Sequence, residues 1–486
     1  MNAVQYLFEN SFNLEKDFVL GNKEKISFNE LYLQVLQMAS YINSTYGYQK
    51  NIILISSNSC FFIISYLGIM LSGNICVPLD PSIEIKNFEF ILNETKSNVC
   101  FGEKKILDKL QPSETVLITD QNFQEIIHKY PDFKTDSKFY NELPAQIIFT
   151  SGSTGLPKGV VLSHKNLIAN TSSILDYLQL TGRDIMEVVL PFYYCYGLSL
   201  LHTHLRVGGS IVLNNNFVFL ATVLNDINKY GCTGFAGVPS HFQVMLRKTD
   251  SFKNNSFPTL RYVTQAGGKL HNSLIEEFCI AFPGVNFYVM YGQTEATARL
   301  SYLEPSKLTE KLGSIGKGIP NVVLKVADGC GNLVKPGETG EIIAKGDNIM
   351  IGYFNDLEGT AEVLKNGWLY TGDIGTVDEE GYIFLTARKK EIIKIAGKRV
   401  SPKEIEAVIL TAPYVVDCSI ESFDDDITGE GIKAVIVLKE GMQGLVNEEM
   451  IKIYCSDKLA LYKIPKYVEF RKELSVAATG KKVIIR

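Results

Sequence analysis

The stretch Ile147-Ile148-Phe149-Thr150-Ser151-Gly152-Ser153-Thr154-Gly155-Leu156-Pro157-Lys158-Gly159-Val160 decides how this chain is read. An apolar run suited to a strand opens it. Two hydroxyl–glycine units, a proline and a lysine follow, and then a second apolar run. Glycines let backbone approach a ligand closely, while hydroxyls and N–H groups face polyphosphate oxygens. Thr150, Ser151, Gly152, Ser153, Thr154 and Gly155 are therefore candidate phosphate binders, and Lys158 adds a positive charge. The spacing is not a Walker A loop, because no Gly-Lys-Ser/Thr follows Gly152 at the required interval.

At 486 residues the chain is too long for one ordinary core, so two or more domains are expected. A content of 46% hydrophobic and 21% charged residues is a foldable, globular composition. The formal charge of −5, with no dense Lys/Arg cluster, argues against a nucleic-acid partner. Nine scattered cysteines without a CxxC pair suit a reducing, cytoplasmic setting. The six histidines are also dispersed. His202 and His204 could share one strand face, but no third metal ligand is near. The N-terminus lacks a basic region followed by an apolar stretch, so no signal peptide is expected. Residues 51–79 carry no charge, yet Asn51, Ser56, Asn58, Ser72 and Asn74 interrupt them. A strand at 52–55, a buried helix at 61–71 and a strand at 75–78 fit better than a membrane span.

Alternating apolar runs and helical patterns over residues 25–330 predict βαβ units and largely parallel sheets. Strands are expected at 116–118, 188–190, 210–213, 234–238 and 287–290. Helices are expected at 30–42, 164–178, 217–230, 240–247 and 272–281. From residue 322, short Gly-punctuated strands predict a small β-rich section. After Arg388, a helix at 402–410, a strand at 433–438 and a helix at 448–459 complete the pattern. The expected fold class is α/β: a large N-terminal domain, residues 1–387, of parallel and mixed sheets with helices and the β-rich section. A small mobile α+β C-terminal domain, residues 388–486, follows.

Further motifs sit at strand ends. Tyr291-Gly292-Gln293-Thr294-Glu295 closes an apolar run. There Tyr291 could stack on a purine, Thr294 could bind a phosphate oxygen, and Glu295 suits Mg²⁺, which prefers hard oxygen ligands. Ala266-Gly267-Gly268-Lys269 offers paired glycines for close approach to a flat ligand. Tyr370-Thr371-Gly372-Asp373 places a carboxylate on a glycine turn, able to accept both ribose hydroxyls. Arg388-Lys389-Lys390-Glu391 opens the last section, and Ala477-Ala478-Thr479-Gly480-Lys481 lies near its end.

In order and in residue type, these motifs resemble those of the AMP-forming adenylate enzymes. That superfamily includes acyl-CoA synthetases, peptide-synthetase adenylation domains and beetle luciferases. The resemblance covers essentially the whole chain. It implies ATP binding by the phosphate loop together with Gly267, Gly268, Tyr291, Gly292 and Gln293, and ribose contacts from Asp373 and Arg388. It implies Mg²⁺ at Glu295 and Thr154, and catalytic roles for Thr294, Glu295, Arg388 and Lys481. Lys481 would reach the α-phosphate and the substrate carboxylate, and Lys390 would be the hinge. The proline usual upstream of the final loop is absent, since the chain reads Leu474-Ser475-Val476.

The acid pocket is implied at Tyr193, Tyr194, Cys195, Tyr196, Gly237 and Ala266. No Asp or Glu occurs from residue 188 to 225, so no local carboxylate can pair a buried cation. The tyrosines supply apolar faces with hydroxyl tips. An uncharged acid of polar or aromatic character is expected, with an amino acid held by a carboxylate from elsewhere left open. The implied reaction joins a small carboxylic acid to a thiol by way of an acyl-adenylate. Because the chain stops five residues after Lys481, the thiol is expected in trans, from coenzyme A or the phosphopantetheine of a separate carrier protein. A stand-alone amino-acid adenylating enzyme loading a carrier protein and a non-catalytic nucleotide-binding scaffold of the same fold are the alternatives.

Overall fold

The two apolar runs of the deciding stretch pair with each other. In the computed structural model, Pro144–Thr150 and Lys158–Ser163 pair antiparallel, with Thr150 opposite Lys158. The structure describes all residues except 22–23, 114, 134–138, 151–156, 249–250, 389–392, 396–397, 426–428 and 475–486.

Among the described residues this strand pair belongs to a seven-stranded sheet whose other strands run parallel, apart from the edge strand Gly352–Tyr353. A nine-stranded sheet lies beside it, with parallel central strands and antiparallel edges. The helices Cys60–Leu71, His164–Leu178 and Cys195–Val207 share one apolar core with residues of both sheets, so they form the layer between them. Separate apolar clusters cover the outer face of each sheet. The strands are apolar on both faces because helices cover both.

The helix Cys60–Leu71 occupies the uncharged segment. It is buried along nearly its whole length, and no described helix is long and apolar enough to cross a membrane. The β-rich section is a sheet containing Val323–Ala327, Thr339–Lys345, Trp368–Val377 and Ile383–Arg388. The last section has its own core, where Pro402–Ile409 and Glu448–Ser456 accompany a sheet built on the long hairpin Val415–Asp425 and Gly429–Leu438.

Three local expectations need correction. His202 and His204 do not share a strand: both lie in the helix Cys195–Val207, fully inside the interlayer core. The strand expected at 188–190 is Ile185–Val188 and stops before Pro191, which lacks an N–H for the ladder. The helix expected at 240–247 is α-helical only over Pro239–Gln243 and continues as π-type turns.

Burial gives these histidines a thermodynamic consequence. Desolvation pushes His164 and His202 down to about 3 and His204 to about 4. His164 accepts from the Ala3 N–H at 3.2 Å, and Nε2 of His202 lies 2.9 Å from the Tyr66 hydroxyl. Unfolded histidine titrates near about 6.5, so below that the unfolded chain binds protons that the folded chain refuses. Stability should therefore hold above about pH 7 and fall as the pH drops towards the folded values. The limiting slope is about 1.4 kcal/mol per pH unit for each histidine. Urea unfolding followed by circular dichroism at about pH 7.5 and about pH 5 checks this; an unchanged midpoint would contradict neutral burial.

Candidate active site

The strand Asn286–Tyr291 ends in Gly292, and only glycine fits there. A Cβ at Gly292 would stand 2.0 Å from the Ala298 carbonyl oxygen, because the chain folds straight back. Gln293 is extended, and its carbonyl accepts the Ala296 N–H at 3.0 Å as the turn Thr294–Ala296 closes. Tyr291 packs its ring with Leu300, Ile315 and, from the β-rich section, Ile342. Its hydroxyl donates to Asp373 Oδ2 at 2.7 Å. Burial, then the Asp373 charge, holds this phenol well above its usual value, so it remains a donor.

Asp373 is 3% exposed and pairs across strands with Arg388, whose Nε donates to Oδ1 at 2.9 Å. The carboxylate stands on the Gly372 turn, where φ is +74°. Gly267, at φ +84°, and Gly268 follow the strand Tyr262–Gln265, and Gln265 Nε2 donates to the Gly268 carbonyl at 2.7 Å. Gly267, Gly268, Tyr291, Gly292, Asp373 and Arg388 line one cleft of about 250 Å³. Lys403 and Glu406 of the last section also border it. His271 lies 3.0 Å from the Ala407 carbonyl, joining the two sections at the cleft.

Glu295 lies on the other side of the turn. Tyr353 donates to its Oε1 at 2.9 Å, and the Met350 N–H caps its carbonyl at 2.9 Å. Lys158, expected as a phosphate-binding charge, pairs with Asp356 Oδ2 at 2.7 Å, and its ammonium lies 5.0 Å from the Tyr353 ring centroid. Thr150 Oγ1 reaches the Lys158 carbonyl at 3.4 Å. Mg²⁺ commonly takes one or two protein carboxylates and completes its shell with water and phosphate oxygens. Glu295 fits that donor set, and the described residues include no cage of three ligating side chains. Ser151, Gly152, Ser153, Thr154, Gly155, Lys390 and Lys481 lie outside the described residues.

The acid-pocket candidates divide. Cys195 Sγ lies 3.6 Å from Thr294 Oγ1, which brings the start of the helix Cys195–Val207 against the motif. Tyr196 is buried, with its hydroxyl 2.8 Å from Thr264 Oγ1, and Tyr194 and Ala266 belong to the same interlayer core. Gly237 turns the other way: its Cβ position faces Phe235, Phe242 and His241 on the outer side of the sheet. Two charged residues escaped the sequence reading. Asp80 hydrogen-bonds Tyr193, and Arg299 lies 4.0 Å from the Tyr196 ring centroid. A search of the residues just after the Thr-Glu motif would have found Arg299. No local signal marked Asp80.

The fold and this site belong together in one class. The chain belongs to the AMP-binding enzyme family, whose profile matches residues 9–354, and the AMP-binding enzyme C-terminal domain matches residues 404–481. Among relatives, a long-chain-fatty-acid–CoA ligase of Escherichia coli O6:H1 is 28% identical over 94% of this chain and 89% of that protein. An oxalate–CoA ligase of Arabidopsis thaliana is 30% identical over 87% of this chain and 85% of that protein. The o-succinylbenzoate CoA synthetase of Bacillus subtilis, solved with its acyl-adenylate intermediate, is 25% identical with a TM-score of 0.87. That match covers 99% of this chain and 96% of the other.

If Asp373 receives the ribose hydroxyls, Asp373→Asn should weaken AMP binding roughly 10- to 100-fold, the range expected for hydrogen bonds to a charged group. Isothermal titration checks this, with unchanged affinity as the contrary result.

Proposed function

We infer that this chain is an ATP-dependent acid–CoA ligase. A carboxylate oxygen attacks the α-phosphorus of ATP, pyrophosphate leaves, and an acyl-AMP results. The coenzyme A thiol then attacks the acyl carbon, the C–O bond to AMP breaks, and a thioester forms. The observation that carries this reading is the single cleft in which the Tyr291–Asp373–Arg388 set, the Gly267–Gly268 turn and Gly292 converge.

Neither step needs a nucleophilic side chain. Each needs two reactants held in line and charge stabilised where it develops. Asp373 retains acceptor capacity for ribose hydroxyls, and Gly292 lets the nucleotide approach backbone closely. Glu295, oriented by Tyr353, would hold Mg²⁺. When bound, that ion neutralises phosphate charge. Thr294 would meet the α-phosphate beside Cys195, on the side where the acid enters. Lys481 is proposed as the cation at the α-phosphate, on the strength of its Thr-Gly-Lys context. Coenzyme A is favoured over a carrier protein's phosphopantetheine because the curated relatives described above are CoA ligases. Those relatives are named for acids as unlike as long-chain fatty acids and oxalate, so they leave the acid open.

A panel of carboxylic acids scored by pyrophosphate release, followed by coenzyme A against a phosphopantetheinylated carrier, tests the reading. Glu295→Gln keeps shape and removes charge, so adenylation should fall at least about 10²-fold. Lys481→Ala should cost about 10²–10³ in acyl-adenylate formation. Transfer from a supplied synthetic acyl-adenylate should survive. Equal losses in both half-reactions would refute the separate role of Lys481.

A further inference from the structure

The strand Asn286–Tyr291 presents alternate residues to opposite faces. Tyr291 points into the β-rich section with Asp373, whereas Met290 points into the interlayer core with Tyr196 and Tyr262. On the Met290 face the neighbouring strand ends carry Ala236, Thr264 and Ala266. The carboxyl ends of parallel strands are where such sheets admit ligands. Arg299 reaches this face. Its Cα would lie 2.9 Å from a Cβ on Gly292, so its backbone is pressed against the reacting turn.

Arg299 is 2% exposed, and its hydrogen bonds go to neutral acceptors. Nε donates to Met290 Sδ at 3.2 Å, and one terminal nitrogen reaches the Ala298 carbonyl at 3.4 Å. The Tyr177 hydroxyl accepts a further hydrogen bond from Arg299, and the Tyr196 ring covers one face at 4.0 Å. Arginine carries five N–H donors. Sulfur is a weak acceptor, and an aromatic face offers no lone pair to the donors in the guanidinium plane. Among the described residues the partners of Arg299 are a sulfur, a carbonyl and a phenol, and none is a carboxylate; Asp80, the acidic residue found near the pocket, already engages Tyr193. Buried cations are ordinarily paired, because leaving one unpaired costs several kcal/mol. A planar fork of donors held against an aromatic ring is also the arrangement that receives a carboxylate by two parallel bonds.

We propose that Arg299 binds a second anionic group on the acid substrate, making this chain a ligase for acids with two anionic groups, dicarboxylic acids foremost. One carboxylate reacts at the α-phosphate beside Thr294, and the other lies deeper between the helix Cys195–Val207 and the sheet. This replaces the uncharged acid expected from the lack of carboxylates at residues 188–225. It rests on the acid–thiol ligase reading above.

The test is acid-dependent ATP–pyrophosphate exchange by the full chain with matched pairs, hexanoate against adipate and benzoate against isophthalate. Wild type should favour the dicarboxylate of at least one pair by roughly 10- to 100-fold in kcat/KM. Arg299→Gln should erase that preference while leaving the KM for ATP unchanged, and Arg299→Lys should restore part of it. Exchange that favours the monocarboxylate or shows no preference overturns the proposal and leaves the ligase reading intact. A preference that survives in Arg299→Gln also overturns it. Should Arg299→Gln fail to fold, the wild-type ratios decide alone. Absence of exchange with every acid overturns the ligase reading and this proposal together.

Discussion

The carboxylate of Asp373 holds the active cleft together. Its two oxygens take one hydrogen bond from Tyr291, at the end of a strand in the nine-stranded sheet. The other comes from Arg388, the last residue of the strand leading into the C-terminal section. A carboxylate only 3% exposed is tolerable because both donors are present. An ionised carboxylate offers about four lone-pair sites, and these donors occupy two. The remaining capacity, beside glycine backbone, is what suits the position to a diol such as ribose. The same contact ties the Thr294–Glu295 turn to the β-rich section, so the proposed nucleotide and metal positions would be set jointly.

A second constraint comes from strand alternation. Successive side chains on Asn286–Tyr291 face opposite ways, so Met290 and Tyr291 assign the two faces of one strand end to different tasks. The Tyr291 face holds the polar groups suited to ribose. The Met290 face meets Tyr196, Arg299 and the small residues of adjacent strands. In the proposed reading, acid and nucleotide would approach one turn from two sides, where Thr294 meets Cys195. In-line attack needs its two reactants to arrive from different sides, and strand alternation supplies two such sides.

The parts of this arrangement written locally were legible in the sequence. The helix His164–Leu178 was read to the residue, because Ser163 and Asn166 form a reciprocal cap and the apolar positions recur at helical spacing. The strand Pro144–Thr150 was equally clear from its apolar run. His202 and His204 were misplaced because residues 198–205 are buried on every side, which hides helical periodicity. The partners of the site residues were not legible at all. Lys158 and Asp356 are 198 residues apart, and Tyr353 and Glu295 are 58 apart. Such pairings depend on how strands are ordered in the sheets. For the same reason the hydrogen bond of the Tyr291 hydroxyl to Asp373, 82 residues on, was not legible.

The central claim is that the acid is joined to AMP before it meets the thiol, and the fate of one oxygen tests it most directly. With an acid that supports turnover, labelled with ¹⁸O in the reacting carboxylate, one labelled oxygen should bridge carbon and phosphorus in the intermediate. That oxygen should leave with the nucleotide. Mass spectrometry of the products is predicted to find the heavy oxygen in AMP, in amounts equal to the thioester formed. Unlabelled AMP, or ADP as the nucleotide product, would contradict the account.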